Sequence, residues 1–94
     1  MGRKGAVLVG RVLDKASQEA VHQAKITIRD AKRPEAYVEL FTDKRGLFRF
    51  TAPSKPLIVF VTSDQYRAIY LDNSGEWTPS SGERRTVTFE LEAR

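Results

Sequence analysis

Apolar and polar residues alternate with a period of two in short runs, and turn-forming residues separate the runs. Seven segments have strand character: Ala6–Leu13, Lys25–Arg29, Tyr37–Thr42, Leu47–Thr51, Leu57–Thr62, Tyr66–Leu71 and Thr86–Leu91. In the second, Ile26 and Ile28 share one face, with Lys25, Thr27 and Arg29 on the other. In the last, Val87, Phe89 and Leu91 alternate with Thr86, Thr88 and Glu90. Such strands place one face on a core and one in water. Leu57–Thr62 is apolar on both faces, so it is expected to be central or covered. Residues 15–24 lack an apolar helical stripe and read as loop. Pro34, Pro53, Pro56 and Pro79 all fall between segments, where a missing N–H costs no ladder bond. Strands recurring every ~8–12 residues predict an antiparallel sandwich or barrel. The expected core is Leu8, Val12, Ile26, Ile28, Phe48, Phe50, Val59, Val61, Val87, Phe89 and Leu91.

The sharpest local signal is Thr42-Asp43-Lys44-Arg45-Gly46-Leu47-Phe48-Arg49-Phe50. The Asp43 carboxylate can cap a turn, and Gly46 can take the positive φ that closes a short hairpin. Phe48 and Phe50 then share one face, with Arg49 opposite.

Length and composition narrow the classes. The chain has 94 residues and reads as a single domain, 1–94. A chain of this size buries roughly 60–65% of its unfolded surface, enough for one core. It has no cysteine, so neither disulfides nor thiolate metal sites support the fold. A net charge of +4 favours solubility and weak attraction to anions. No apolar run approaches the ~20 residues of a membrane-spanning helix. Met1-Gly2-Arg3-Lys4 is basic, but the apolar run from Ala6 to Val9 is short for a signal peptide, so none is expected in this chain. Trimming of a longer chain and residence at the place of synthesis both remain open.

Several motifs in order resemble a known family. Gly10-Arg11-Val12-Leu13-Asp14 followed by Ala24-Lys25-Ile26-Thr27-Ile28 resembles its G-x-V-x-D…A-x-V-x-V opening. Thr42-Asp43-x-x-Gly46-x-Phe48-x-Phe50 resembles its T-D-x-x-G-x-F-x-F hairpin. Val59-x-Val61 before Tyr66, and Gly82-Glu83 before Val87-x-Phe89-x-Leu91, resemble its later strands. The family is the carboxypeptidase regulatory-like domain, and the likeness runs from Val9 to Leu91. It implies an all-β, seven-stranded antiparallel Greek-key β-sandwich of the transthyretin-like (prealbumin-like) type. It also implies a non-catalytic accessory or protein-interaction module, without cofactors and often extracytoplasmic. One departure is Gln65, where the family usually has Gly before the Tyr, so that turn is expected to differ.

Catalytic and metal constellations find little support. His22 is the only histidine, no G-x-S-x-G elbow is present, and zinc needs three or four ligands. Asp14, Asp43 and Asp64 each start a turn, but no D-x-D-x-D-G run is present, so local capping accounts for them better than calcium. Related enzymes of this broad fold fare no better. The transthyretin-like hydroxyisourate hydrolases use several histidines and a Tyr-Arg-Gly-Ser ending, whereas this chain ends Glu92-Ala93-Arg94. Intradiol dioxygenases need two His and two Tyr ligands. Isopeptide-forming relatives join a first-strand Lys to a last-strand Asn or Asp, and Thr86–Leu91 holds neither.

Binding remains. Trp77 lies in the long polar connection Asp72–Gly82, where it either plugs the core end or is exposed as a stacking platform or interface anchor. Consecutive antiparallel strands bring Lys32, Arg33, Lys55, Arg84 and Arg85 to that same end. Trp77, Arg84, Arg85, Lys32 and Arg33 are therefore the candidate contacts, with another protein or a neighbouring domain as the expected partner. The alternative is a carbohydrate-binding module using an exposed Trp77, with Tyr66 or Tyr70 as a second platform. A nucleic-acid partner is not expected, since no aromatic RNA-binding strand or groove-entering helix is present.

Overall fold

A computed structural model describes residues 5–94; the basic start Met1 to Lys4 lies outside the described residues. Eight strands form: β1 (Ala6–Asp14), β2 (Lys25–Asp30), β3 (Tyr37–Phe41), β4 (Leu47–Ala52), β5 (Leu57–Thr62), β6 (Ile69–Tyr70), β7 (Glu76–Trp77) and β8 (Arg84–Leu91). They make two sheets, one ordered β4-β1-β8 and one ordered β3-β2-β5-β6, with β7 also on β5. Period-2 alternation is what makes the two sheets stack. Leu8 and Val12 of β1, Ile26 and Ile28 of β2, Val59 and Val61 of β5, and Phe89 and Leu91 of β8 all point inward and are buried. Phe50 and Val87, expected in the core, are only partly buried against it. Leu57–Thr62 is central as expected, with β2 on one side and β6 and β7 on the other. Residues 15–24 form turns and a single bridge, Leu13 to Ala20, with no helix.

Strand direction and strand extent both differ from the expected plan. The pairing is not antiparallel throughout: β1 and β8 run parallel, from Val7 opposite Arg84 to Asp14 opposite Leu91. A parallel pair needs a long crossover, and here every other strand of the domain supplies it. The expected strand Tyr66–Leu71 is also reduced to two residues, Ile69–Tyr70, and a second short strand follows it on the same edge. Gln65 has φ 68°, the left-handed conformation that glycine takes without penalty.

The expected hairpin between β3 and β4 forms its turn but not its pairing: β3 lies in one sheet and β4 in the other, so the turn carries the chain across the sandwich. Asp43 Oδ1 accepts from the amides of Arg45 (2.8 Å) and Leu47 (2.9 Å). Gly46 has φ 74°, and its carbonyl accepts from Val12 N at 2.7 Å, tying the turn to β1. Thr42 anchors the other side: its buried hydroxyl donates to Val21 O (2.6 Å) and accepts from Ala24 N (2.9 Å). A Cβ on Gly46 would lie 2.5 Å from Val12 O. Gly46→Val is therefore expected to cost ~1–2 kcal/mol from backbone conformation, plus the steric term. In a thermal melt each kcal/mol lowers Tm by about 4–8 °C at this size, so an unchanged Tm would refute the strained turn.

Candidate functional site

Several of the expected contact residues gather around one end of β5. Asp30, at the end of β2, faces Leu57, and Leu57 faces Trp77 across β5. Asp30 Oδ1 accepts from the amides of Lys32 (2.8 Å) and Arg33 (3.1 Å), and Lys55 Nζ lies 3.0 Å from Asp30 Oδ2. Lys32, Arg33 and Arg84 are exposed there. Arg85 is committed: its guanidinium pairs with Asp72 and sits 5.9 Å over the Trp77 ring.

Trp77 itself corrects the expectation of an exposed platform, since it is only 6% exposed. The reason lies in the connection before it. Leu71 N donates to Val59 O (3.0 Å), and Val59 N donates to Gly75 O (2.8 Å). The chain leaves the edge of β5, turns through Asp72, Asn73 and Gly75 at positive φ, and returns to the same edge. Pairing with Leu57 then fixes the side of the sheet, and Trp77 points inward as Leu57 does. Its indole Nε1 is buried with no hydrogen-bond partner among the described residues. Trp77 thus closes the core, and Arg85 covers it.

The other proposed platforms separate. Tyr66 is half-buried, and its hydroxyl donates to Asp14 Oδ2 at 2.7 Å. Tyr70 is 41% exposed and stacks on Phe60 with ring centroids 5.1 Å apart. Arg29 lies over the far side of this pair, 5.8 Å from the Phe60 centroid. These groups line the outer face of the β3-β2-β5-β6 sheet. The large exposed apolar side chains Tyr37, Val38, Phe41 and Tyr70 all belong to this one sheet. Sequence reasoning passed over Tyr37, Val38 and Phe41; the signal was a strand with large apolar residues on both faces and one charge.

The acids act as caps. Asp14 Oδ1 accepts from the amides of Ala16 (2.8 Å) and Ser17 (3.0 Å), as Asp43 does in its own turn. The Ser17 amide, followed by the Tyr66 hydroxyl, holds the Asp14 carboxyl below its ordinary value of 3.8. Asp30 is lowered chiefly by Lys55, and Asp43 chiefly by the Leu47 amide. A carboxyl depressed in the folded state adds stability above its unfolded pKa and loses it as pH falls through the folded one. The urea midpoint is thus expected to fall below about pH 4. Tyr66→Phe should move the Asp14 titration, followed by NMR, back toward the ordinary range; an unmoved Asp14 would show that the phenol contributes nothing. His22 is exposed, and no group of three or more His, Cys, Asp or Glu side chains could hold a metal ion among the described residues.

No protein-family model and no curated protein matches the sequence. Solved structures do match the fold. A segment of the Bacillus anthracis TIE protein superposes with a TM-score of 0.77 at 17% identity, over 96% of this chain and 17% of that one. The 3-chlorocatechol 1,2-dioxygenase of Rhodococcus opacus gives 0.71 at 10% identity, over 99% of this chain and 62% of that one. A variant of BcpA, the major pilin subunit of Bacillus cereus, gives 0.68 at 13% identity, over 94% and 30%. This chain has the transthyretin-like β-sandwich fold. It corresponds to one segment of each neighbour, and likeness at such identity speaks to the fold alone.

Proposed function

We propose that the chain is a non-catalytic interaction module of the carboxypeptidase regulatory-like type that engages another protein or a neighbouring domain. The observation that carries this reading is the collection of Tyr37, Phe41 and Tyr70 on the outer face of a single sheet, where Tyr37 pairs with Arg29. Tyr and Arg are the side chains that most often anchor protein interfaces, and exposed apolar clusters mark such surfaces. The family's seven-strand Greek-key plan accommodates β6 and β7 as one interrupted edge strand. The motifs support the family: the T-D-x-x-G-x-F-x-F segment has the capped turn and positive-φ glycine its spacing requires. The carbohydrate alternative loses its main platform with Trp77 inside the core.

The test is a paired screen of the labelled domain against a glycan array and a phage-displayed library of random twelve-residue peptides. Peptides should be enriched and glycans should not. Combining Tyr37→Ser with Tyr70→Ser should reduce enrichment about tenfold or more. Glycan hits without peptide hits would overturn the reading.

A further inference from the structure

Strand β3 is an edge, and it is built unlike the other edges. It pairs only with β2. Natural sheets protect their edges with charges, prolines, bulges or very short strands. β8 carries Arg84, Arg85 and Glu90, β4 carries Arg49 and is followed at once by Pro53, and β6 and β7 have two residues each. β3, Tyr37-Val38-Glu39-Leu40-Phe41, has one charge and neither proline nor glycine.

Its backbone is open. Asp30 N donates to Ala36 O (2.9 Å), and Thr42 N donates to Ala24 O (3.0 Å). Those two bonds fix the phase of the ladder, so the even-numbered residues of β3 turn their N–H and C=O toward β2. Tyr37, Glu39 and Phe41 turn theirs to the free side. Only an extended polypeptide matches that row of alternating donors and acceptors.

The side chains agree. Val38 pairs with Ile28 and so faces the interior, yet it is 44% exposed. It is exposed because β3 and β4 leave the side of the sandwich open there. The gap is a cleft of about 200 Å³ lined by Val38, Phe50, Pro53 and Leu57 among others. Tyr37 and Phe41 stand on the outer face, 59% and 55% exposed.

We infer that β3 accepts an extended strand from a different protein, with apolar residues on both faces of that strand and a basic residue at its centre. This rests on the interaction-module reading and names its site and mode. The residue of the incoming strand opposite Val38 enters the cleft, and the one opposite Leu40 lies on the same inner face. Residues opposite Tyr37 and Phe41 pack on the exposed rings. The residue opposite Glu39 meets the strand's only charge, a carboxylate whose pairing with Lys25 (3.4 Å) leaves its side chain 40% exposed. Charge also argues against a second copy of this chain. The two-fold register that pairs Tyr37 with Phe41 sets Glu39 opposite Glu39, and like charges directly opposite are destabilising.

The experiment takes peptides selected from the random library and maps them on the ¹⁵N-labelled domain. The amides of Tyr37, Glu39 and Phe41 should gain about tenfold or more protection from hydrogen exchange, while Val38 and Leu40, already bonded to β2, should change little. The peptides should share a Lys or Arg flanked by apolar residues. Glu39→Pro removes an outward N–H and no β2 bond, so it should weaken binding about tenfold or more while Tm is kept. If that variant fails to fold, N-methylation of the peptide answers instead: it should abolish binding at amides facing β3 and spare the others. Glu39→Lys should select acidic centres. Peptides mapping to Arg29, Phe60 and Tyr70 would overturn strand addition and leave the module reading standing. A library that yields no binder would overturn both. A concentration-dependent dimer abolished by Glu39→Pro would make a second copy the occupant and overturn the foreign partner.

Discussion

Phe48→Ala is expected to lower stability by ~3–5 kcal/mol in urea denaturation. The ring is 6% exposed and packs 6.2 Å from Phe89, centroid to centroid. It also lies directly over Gly10, its partner across the β1–β4 ladder. A Cβ on Gly10 would fall 2.1 Å from Phe48 Cζ. The bare glycine is thus the seat of the ring, and it has no side chain of its own to fill the hole that truncation would leave. Total stability for a domain of this kind is about 5–15 kcal/mol, so the variant should stand near the edge of unfolding. The pair also predicts strong coupling. Gly10→Ala should be destabilising alone and harmless or helpful once Phe48 is Ala, a non-additivity that a double-mutant cycle measures. A loss under about 1 kcal/mol for Phe48→Ala would show that the ring does not face the core.

Trp77→Ala should cost ~3–5 kcal/mol as well, for a buried ring closing one end of the core. The control is Trp77→Phe. It deletes an indole N–H that is buried without a partner, offsetting part of the lost volume, so it should cost less than about 2 kcal/mol. Arg85 would lose its aromatic partner in the Ala variant and keep one in the Phe variant. If Trp77→Ala weakened peptide binding while Tm stayed unchanged, the ring would be a contact residue after all.

These two positions show where sequence was legible. The Phe48 prediction rests on a local pattern: Asp43 and Gly46 set the turn, the Gly46 carbonyl ties it to β1, and alternation along β4 turns Phe48 inward. Trp77 depends on a return to β5 that no local periodicity marks. The signal present was Asp72-Asn73-Ser74-Gly75, a cluster suited to positive φ and hence to a tight excursion, not an open loop. Small buried residues such as Ala6, Ala24 and Ala52 were likewise missed, because a short side chain reveals its position only once strands are paired. The β3 edge escaped for a similar reason. Tyr37 to Phe41 reads as an ordinary strand, and being an edge is a property of topology, which the strand's own residues do not encode.

The parallel pairing of β1 with β8 has a mechanical consequence. The chain enters β1 at the end where Val7 faces Arg84 and leaves β8 at the end where Asp14 faces Leu91. Tension applied through the two termini pulls these neighbouring strands in opposite directions along their length. The bonds of the ladder are then loaded together in shear and cannot be peeled one at a time. Any pull transmitted along the backbone meets this clamp first, before it reaches the hairpins or the open β3 side.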